Sequence, residues 1–139
     1  MVIADAGFWL ALFNSDDQHH GHAVAAFERL REALVTTWPV LAEACYLMAQ
    51  RLSPEAARRL LERLGMQAFE VHDIAPSDVP RLVQLMADYE DQAMDLGDAS
   101  LVLLAERLSH GRILTTDRRD FAVYRWGGRN LFQNLLIPD

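Results

Sequence analysis

The sequence predicts an α/β fold with three layers, in which helices cover both faces of a central parallel sheet of about five strands. Short runs rich in β-branched and aromatic residues alternate along the chain with longer segments whose apolar residues recur at helical spacing. This alternation is typical of parallel sheets, because parallel strands are joined by crossover helices. One segment, ASLVLLA, is apolar nearly all round, which indicates a helix buried against the sheet. With 139 residues and no internal repeat or linker, a single domain over residues 1–139 is expected.

Five strands are predicted, one at the start of the chain and four later. In chain order they are MVIAD at 1–5, LVTTW at 34–38, AFEVHDI at 68–74, RILTT at 112–116 and a short strand near NLFQNLLI at 130–137. Ligands bind parallel sheets beyond the carboxyl ends of the strands, where the strand order reverses. The ends of these strands are therefore the first places to look for functional side chains.

Six helices are predicted between the strands. They cover residues 8–13, a segment within 19–33, and residues 39–52, 54–64, 77–90 and 98–108. Several of their ends carry residues with known preferences for helix termini. Pro39 and Pro54 suit the first turn of a helix, Ser53 suits an N-cap, and Gly65 suits the position after a helix.

The charged residues exclude several classes of enzyme. The net charge is −7, and all thirteen basic residues are arginine. Without lysine the chain cannot form a P-loop, a Schiff-base site, a receiver domain or a haloacid-dehalogenase site. One cysteine permits no internal disulfide, no apolar run is long enough for a membrane span, and the N-terminal segment lacks a basic leader. We therefore expect a cytoplasmic protein whose chemistry depends on carboxylates.

Two of these carboxylates, Asp5 and Asp117, follow the first and fourth predicted strands. If those strands are neighbours, both side chains face one crevice. Thr115 lies two residues before Asp117, so its hydroxyl points to the same side of an extended chain. Asp5 follows a buried apolar run and needs a compensating partner, which no lysine can supply.

Glu43, Asp95 and Asp98 lie on or beside helices, and each also has an ordinary structural interpretation. Glu43 interrupts the apolar run VLAEACYLM and can lie on the exposed face of its helix. Asp98 begins a predicted helix, where a carboxylate can cap free amides. Asp95 precedes Asp98 by three residues and shares its face if the turn between them is helical. Taken singly, these interpretations remain open.

Together, the carboxylates predict a metal site. Several ionised carboxylates in one crevice repel each other unless a cation compensates them. Oxygen ligands without histidine or cysteine suit Mg²⁺ or Mn²⁺ better than zinc. Such ions support in-line hydrolysis of phosphodiesters. The spacing leaves open whether one or two ions take part.

Four blocks of the sequence resemble the motifs of the PIN domain family, in the family's order and over essentially the whole chain. They are VIADAGFWLALF, VLAEACYLM, MDLGDASLVLLAERL and ILTTDRRDF. The chain resembles in particular the stand-alone bacterial members, such as the VapC toxins of type II toxin–antitoxin systems. The resemblance implies a five-stranded PIN-like fold and endoribonuclease activity on RNA.

The resemblance also implies roles for individual residues. Asp5, Glu43, Asp98 and Asp117 match the acidic quartet that is catalytic and binds Mg²⁺ or Mn²⁺, and Asp95 matches an accessory acidic position. Thr115 matches a hydroxyl position of the last motif and is expected near the substrate. Asp120 is an alternative to Asp117 as the fourth acid. The expected partners are RNA, a cognate antitoxin and a second copy of the chain.

Arginines near the last motif answer the objection that an acidic protein should not bind RNA. Residues 107–129 contain six arginines and two aspartates, a net charge of +4. We expect the RNA backbone to contact Arg118, Arg119, Arg125 or Arg129, with Tyr124 or Trp126 available for stacking on bases. The alternative is that these arginines are solvated and the aromatic residues serve packing.

Two further features carry less functional weight. His19 and His22 are three residues apart, but a polar helix start explains them better than zinc does. The helix from Pro54 combines arginines with Leu60, Leu61 and Leu64; leucines exposed there would indicate an antitoxin or dimer surface. Alternatives to a toxin are a PIN nuclease of RNA processing or decay, a non-catalytic PIN-like binding module, and a phosphohydrolase of small molecules.

Overall fold

A computed structural model describes residues 1–137; residues 138 and 139 of the predicted domain lie outside the described residues. Seven short strands are found within residues 1–137. Their bounds are β1 Val2–Ala4, β2 Leu34–Thr37, β3 Glu70–His72, β4 Arg112–Leu114, β5 Arg125–Trp126, β6 Asn130–Leu131 and β7 Gln133–Asn134. Five of them form one parallel sheet in the order β3-β2-β1-β4-β7. The predicted parallel sheet of five strands is confirmed, and β7 is the predicted strand near NLFQNLLI.

In the described part of the chain, seven α-helices connect and follow these strands. Their bounds are α1 Ala6–Phe13, α2 His20–Arg29, α3 Trp38–Arg51, α4 Pro54–Gly65, α5 Val79–Asp88, α6 Leu96–Leu108 and α7 Arg118–Val123. Short 3₁₀ segments at Pro76–Asp78 and Glu90–Gln92 flank α5, so the helix predicted over 77–90 is divided. Helices α1, α3 and α6 begin two, one and two residues before their predicted starts. For α1 and α6 the reason is an aspartate N-cap, Asp5 or Asp95, that begins the helix earlier.

The middle of the sheet is fully buried, because apolar strands β1 and β4 are neighbours and helices flank the sheet. Val2, Ile3, Ile113 and Leu114 have no exposed surface. Helix α6 is buried along most of its length, as its uniformly apolar sequence predicts, and it packs against β1 and β2. This rigid centre positions the residues that follow β1 and β4.

Two elements were not among those predicted: the short helix α7, and a small antiparallel hairpin of β5 and β6 that follows it. Its turn contains Gly127 and Gly128 with φ of 61° and 86°, a left-handed conformation that glycine adopts without steric cost. Strands of two residues leave too short a pattern for sequence periodicity to reveal them.

Candidate active site

The carboxyl ends of β1 and β4 lie side by side and carry the first two predicted acids. The amide of Asp5 donates to the carbonyl of Leu114 over 3.0 Å, which continues the pairing of the two strands. Asp5 is only 8% exposed and caps α1, its Oδ1 accepting a 2.7 Å hydrogen bond from the amide of Ala6. Thr115 donates its hydroxyl to Asp5 Oδ2 over 2.8 Å and accepts from the amide of Asp117 over 3.0 Å. Thr115 therefore fixes the two carboxylates relative to each other.

Two helices that point into this region begin with the same local pattern, Asp-x-x-Asp. Asp95 caps α6 by accepting from the amide of Asp98 over 2.8 Å, and Asp117 caps α7 by accepting from the amide of Asp120 over 3.1 Å. In each helix the first aspartate satisfies a free amide and the second lies in the first turn. The positive end of each helix dipole partly offsets the repulsion between these carboxylates.

Asp98, Asp117 and Asp120 come closest together. One carboxylate oxygen from each lies within 4.8 Å of the others, a separation at which a single cation can contact all three. The sequence left Asp117 and Asp120 as alternatives; the structure brings both into the same group.

The remaining acids line a cleft of about 560 Å³ around this group. We call it the acidic cleft; its carboxylates are Asp5, Asp17, Glu43, Asp95, Asp98, Asp117 and Asp120. Glu43 and Asp95 are exposed and face each other across Gly97. A β-carbon added at Gly97 would lie 3.4 Å from Asp95 Oδ1 and 3.6 Å from Glu43 Oε2. All five predicted acidic positions therefore lie in one cleft.

Burial and mutual repulsion raise the pKa of several of these groups. Burial raises the pKa of Asp5 to about 6, against the opposing hydrogen bonds from Thr115 and Ala6. Burial raises the pKa of Asp98 to about 7, assisted by the nearby carboxylates. The pKa of Glu43 is raised by burial and by the charge of Asp95, and that of Asp120 by burial and the charge of Asp117. Such a site favours a bound cation, which stabilises the ionised forms.

Residues 2–127 match the sequence model of the PIN domain. The chain belongs to the PIN domain family. It is 32% identical over 130 residues to Ribonuclease VapC26 of Mycobacterium tuberculosis, covering 92% of this chain and 96% of that protein. The crystal structure of Mycobacterium tuberculosis VapC20, a toxin that cleaves the sarcin-ricin loop, superposes with a TM-score of 0.73 at 18% identity. That match covers 78% of this chain and 84% of VapC20. The predicted resemblance and PIN fold are confirmed.

The predicted substrate contacts lie in different surroundings. In this PIN domain Thr115 is fully buried, with its hydroxyl held by Asp5. Arg119 is exposed, and its charge acts to lower the pKa of the adjacent Asp120. Arg118 lines a separate cavity of about 510 Å³ beside β7. Arg125 donates from Nη1 to the carbonyls at the end of α7, at 122, 123 and 124, and so stabilises that helix end.

The two aromatic candidates for base stacking serve packing. Tyr124 has no exposed surface, so the expectation that it stacks on RNA bases is wrong. Trp126 donates from Nε1 to the carbonyl of Leu131 within the hairpin and packs against Gly111, where a β-carbon would lie 2.6 Å from Nε1. Burial, which sequence does not report, excludes the stacking role for Tyr124, whereas Trp126 is half-buried and engaged within the hairpin.

Two residues matter to the cleft in ways that sequence analysis did not predict: Arg51 was not identified, and Tyr124 was given a different role. Arg51 lines it from the last turn of α3, and Tyr124 donates a hydrogen bond to Asp98 from beneath it. Helical spacing could have found Arg51, because Glu43, Leu47 and Arg51 follow at intervals of four residues and all line the cleft. No sequence signal links Tyr124 to Asp98, 26 residues earlier.

His19, His22 and Cys45, the other candidates, lie outside the group of Asp98, Asp117 and Asp120. His19 lines the acidic cleft, and among residues 1–137 no group of three potential metal ligands includes His19 or His22. Burial raises the pKa of the Cys45 thiol, which disfavours a reactive thiolate. No helix in the described part of the chain is long and apolar enough to cross a membrane.

Proposed function

We propose that this PIN domain is a metal-dependent endoribonuclease that acts in the cytoplasm as the toxin of a toxin–antitoxin pair. The observation that carries the proposal is the convergence of Asp5, Glu43, Asp98 and Asp117 in one cleft at the carboxyl ends of β1 and β4. The similarity to Ribonuclease VapC26 over nearly the full length of both chains supports the same activity. We assign the catalytic role to these four residues, with Asp95 as an accessory acid.

The donor set fits Mg²⁺ or Mn²⁺. Asp98, Asp117 and Asp120 offer three carboxylate oxygens close enough for one ion, and Asp5, Glu43 and Asp95 line the same cleft. These are oxygen donors only, which such cations prefer. When bound, the cation would supply positive charge against a phosphodiester and lower the pKa of an attacking water.

The chain's own residues prepare that site. Thr115 and the amide of Ala6 hold both oxygens of Asp5, so its carboxylate keeps one orientation. Thr116 packs against Gly7, where a β-carbon would lie 2.0 Å from its Oγ1, so glycine permits this close approach of α1 to the end of β4. Rigid placement of the acids reduces the reorganisation needed when substrate binds.

RNA is the proposed substrate, and cations at the rim of the cleft are needed to bind its phosphates. Arg51 lines the cleft itself, and Arg119 lies beside Asp120. We therefore place the first backbone contacts at Arg51 and Arg119, with Arg118 reaching RNA that extends beside β7. Arg125 is bound to the end of α7 and contributes less.

The outer surface formed by α1, α2 and α4 supports an antitoxin partner. Leu61 on α4 is 46% exposed and Phe27 on α2 is 52% exposed, whereas Leu60 is fully buried. Leu12, Phe13, Phe27, Arg59 and Arg63 line a shallow cavity of about 370 Å³ there. An apolar surface flanked by arginines suits an amphipathic acidic segment. A second copy of the chain is the other occupant we propose.

The test is cleavage of labelled single-stranded RNA and of a sarcin-ricin stem-loop with Mg²⁺ or Mn²⁺, comparing wild type with Asp5→Asn. Asn retains the shape of Asp5 and removes its charge. We expect cleavage by wild type alone and loss of cleavage with EDTA. Glu28→Gln, which changes an exposed carboxylate on α2, is the control and should cleave normally.

Three outcomes would contradict parts of this proposal. Cleavage that survives both EDTA and Asp5→Asn contradicts the carboxylate mechanism. Binding of RNA without cleavage favours a binding module, and preference for a generic phosphoester favours a phosphohydrolase. Growth arrest on expression, abolished by Asp5→Asn, separates a toxin from a nuclease of RNA processing or decay.

A further inference from the structure

Beneath the acidic cleft, Tyr124 donates its hydroxyl to Asp98 Oδ2 over 2.8 Å. The tyrosine has no exposed surface and sits at the end of α7. Within the described residues this is the one hydrogen bond that the carboxylate of Asp98 makes. Its other oxygen, Oδ1, is thereby left for a ligand in the cleft.

The ring of Tyr124 is held firmly in place. It packs edge-on against Tyr89 and Phe121, with ring centroids 5.1 Å and 5.0 Å away. Arg125 adds to this by donating from Nη1 to the carbonyl of Tyr124. A side chain packed in this way has little freedom, so its hydroxyl fixes the carboxylate that it contacts.

The contact also joins two helices of the site. Asp98 lies in the first turn of α6, whereas Asp117 and Asp120 begin α7, at whose far end Tyr124 lies. The hydrogen bond therefore sets the distance between Asp98 and the other two acids of the three-carboxylate group. Thr115 makes the corresponding contact at the carboxyl ends of β1 and β4, where its hydroxyl orients Asp5.

We propose that Tyr124 is a positioning residue of the metal site, which holds Asp98 in the orientation that binds Mg²⁺ or Mn²⁺. The inference rests on the proposed metal-dependent function. It predicts that removal of the hydroxyl alone weakens cation binding. Partners that orient metal ligands change affinity by about 10- to 100-fold in other proteins.

The test is Mn²⁺ binding to the full chain, measured by calorimetry and by electron paramagnetic resonance without RNA. Tyr124→Phe retains the ring and removes the hydroxyl, and we expect Mn²⁺ affinity to fall by roughly 10-fold. Tyr89→Phe is the matched control. It removes a hydroxyl from the same aromatic group, but that hydroxyl contacts the amide of Arg125 and no carboxylate. We expect its affinity to stay within about twofold of wild type.

A double variant shows whether the hydroxyl acts through Asp98. Adding Tyr124→Phe to Asp98→Asn should change Mn²⁺ affinity little, because the carboxylate that the hydroxyl orients is already lost. An equal loss in both backgrounds would overturn the inference. Unchanged Mn²⁺ affinity in Tyr124→Phe would also overturn it, as would an equal loss of affinity in Tyr89→Phe. The same holds if the Tyr124→Phe protein fails to fold while Tyr89→Phe folds. Wild type that binds no Mn²⁺ at all would instead overturn the proposed metal dependence, and the inference with it.

Discussion

Two pairs of carboxylates in the acidic cleft are built differently. Asp5 and Asp98, the inner pair, lie deep in the cleft, and each accepts a hydrogen bond from a fully buried hydroxyl, Thr115 or Tyr124. Glu43 and Asp95, the outer pair, are exposed. Among the described residues the carboxylate of Glu43 has no hydrogen-bond partner, and Asp95 accepts only from the amide of Asp98. The inner pair is therefore fixed before any ligand arrives, and the outer pair can adjust to one.

This difference assigns the two pairs separate tasks. A carboxylate with a fixed orientation and a raised pKa is costly to ionise in its buried surroundings. A cation that binds beside it offsets much of that cost. An exposed carboxylate gains less, because water still reaches it; the pKa of Glu43 is also raised, but no hydrogen bond among the described residues fixes its orientation. We therefore expect the inner pair to determine where the cation binds and the outer pair to modulate its affinity and the approach of RNA.

The largest effect is expected from neutralising one member of each pair. Asp98→Asn should lower RNA cleavage by roughly 10³-fold, comparable with the loss of one preorganised transition-state contact, whereas Glu43→Gln should lower it by about 10-fold. Single-turnover rates at saturating Mn²⁺ measure both. Glu28→Gln again serves as the control for a lost exposed carboxylate. Equal losses at Asp98 and Glu43 would contradict the distinction between the pairs.

The second prediction concerns stability without metal. The pKa of Asp5 is 3.8 in an unstructured chain and about 6 in the fold, and that of Asp98 is about 7. At pH values between the unfolded and folded pKa of each group, the folded protein therefore binds more protons than the unfolded chain. Its free energy of unfolding should fall as pH rises from about 4 to 7, by the order of 3 kcal/mol for Asp5 alone.

Urea denaturation at several pH values, with and without Mn²⁺, tests this. Mn²⁺ should reduce the decline, because it stabilises the ionised carboxylates. Burial lowers the pKa of His110, which acts in the opposite direction near pH 6, so the difference between wild type and Asp5→Asn is the quantity to compare. If Asp5→Asn shows the same decline as wild type, Asp5 is not the source of it.

The inner pair also shows what sequence can and cannot predict. Asp5 and Asp117 were predicted to meet because each follows an apolar strand, and the strands prove to be neighbours. The order β3-β2-β1-β4-β7 itself depends on which helices pack together, and no local pattern encodes that. Asp120 could have been assigned with more certainty, because both helix starts share the pattern Asp-x-x-Asp.

Tyr124 illustrates the opposite case. Its sequence neighbours, with arginines on both sides, indicated a surface aromatic residue for RNA. The hairpin of β5 and β6, which sequence did not predict, follows it directly, and Tyr89 from a distant segment covers it. Burial of this kind depends on contacts between residues far apart in the chain, so the Asp98 contact became visible only in the folded structure.

The smallest predicted effect tests the outer side of the cleft. Arg51 lies on α3 with Glu43, it is exposed, and no ion pair with it is found within residues 1–137. An arginine in this position can contact an RNA phosphate next to the one that is cleaved. We expect Arg51→Ala to raise KM for RNA by about fivefold and to leave kcat nearly unchanged. The slope of log affinity against log salt concentration should fall by about one, which corresponds to one lost phosphate contact.

Arg58→Ala is the matched control, because Arg58 is an exposed arginine on α4 that does not line the cleft. Both variants lower the overall charge equally, so a general electrostatic effect would change them alike. A fall in kcat for Arg51→Ala without a change in KM would mean that this arginine acts on the reacting phosphate. The outer side of the cleft would then act directly in the chemical step, as the inner pair does, and the distinction between the inner and outer pairs would be wrong.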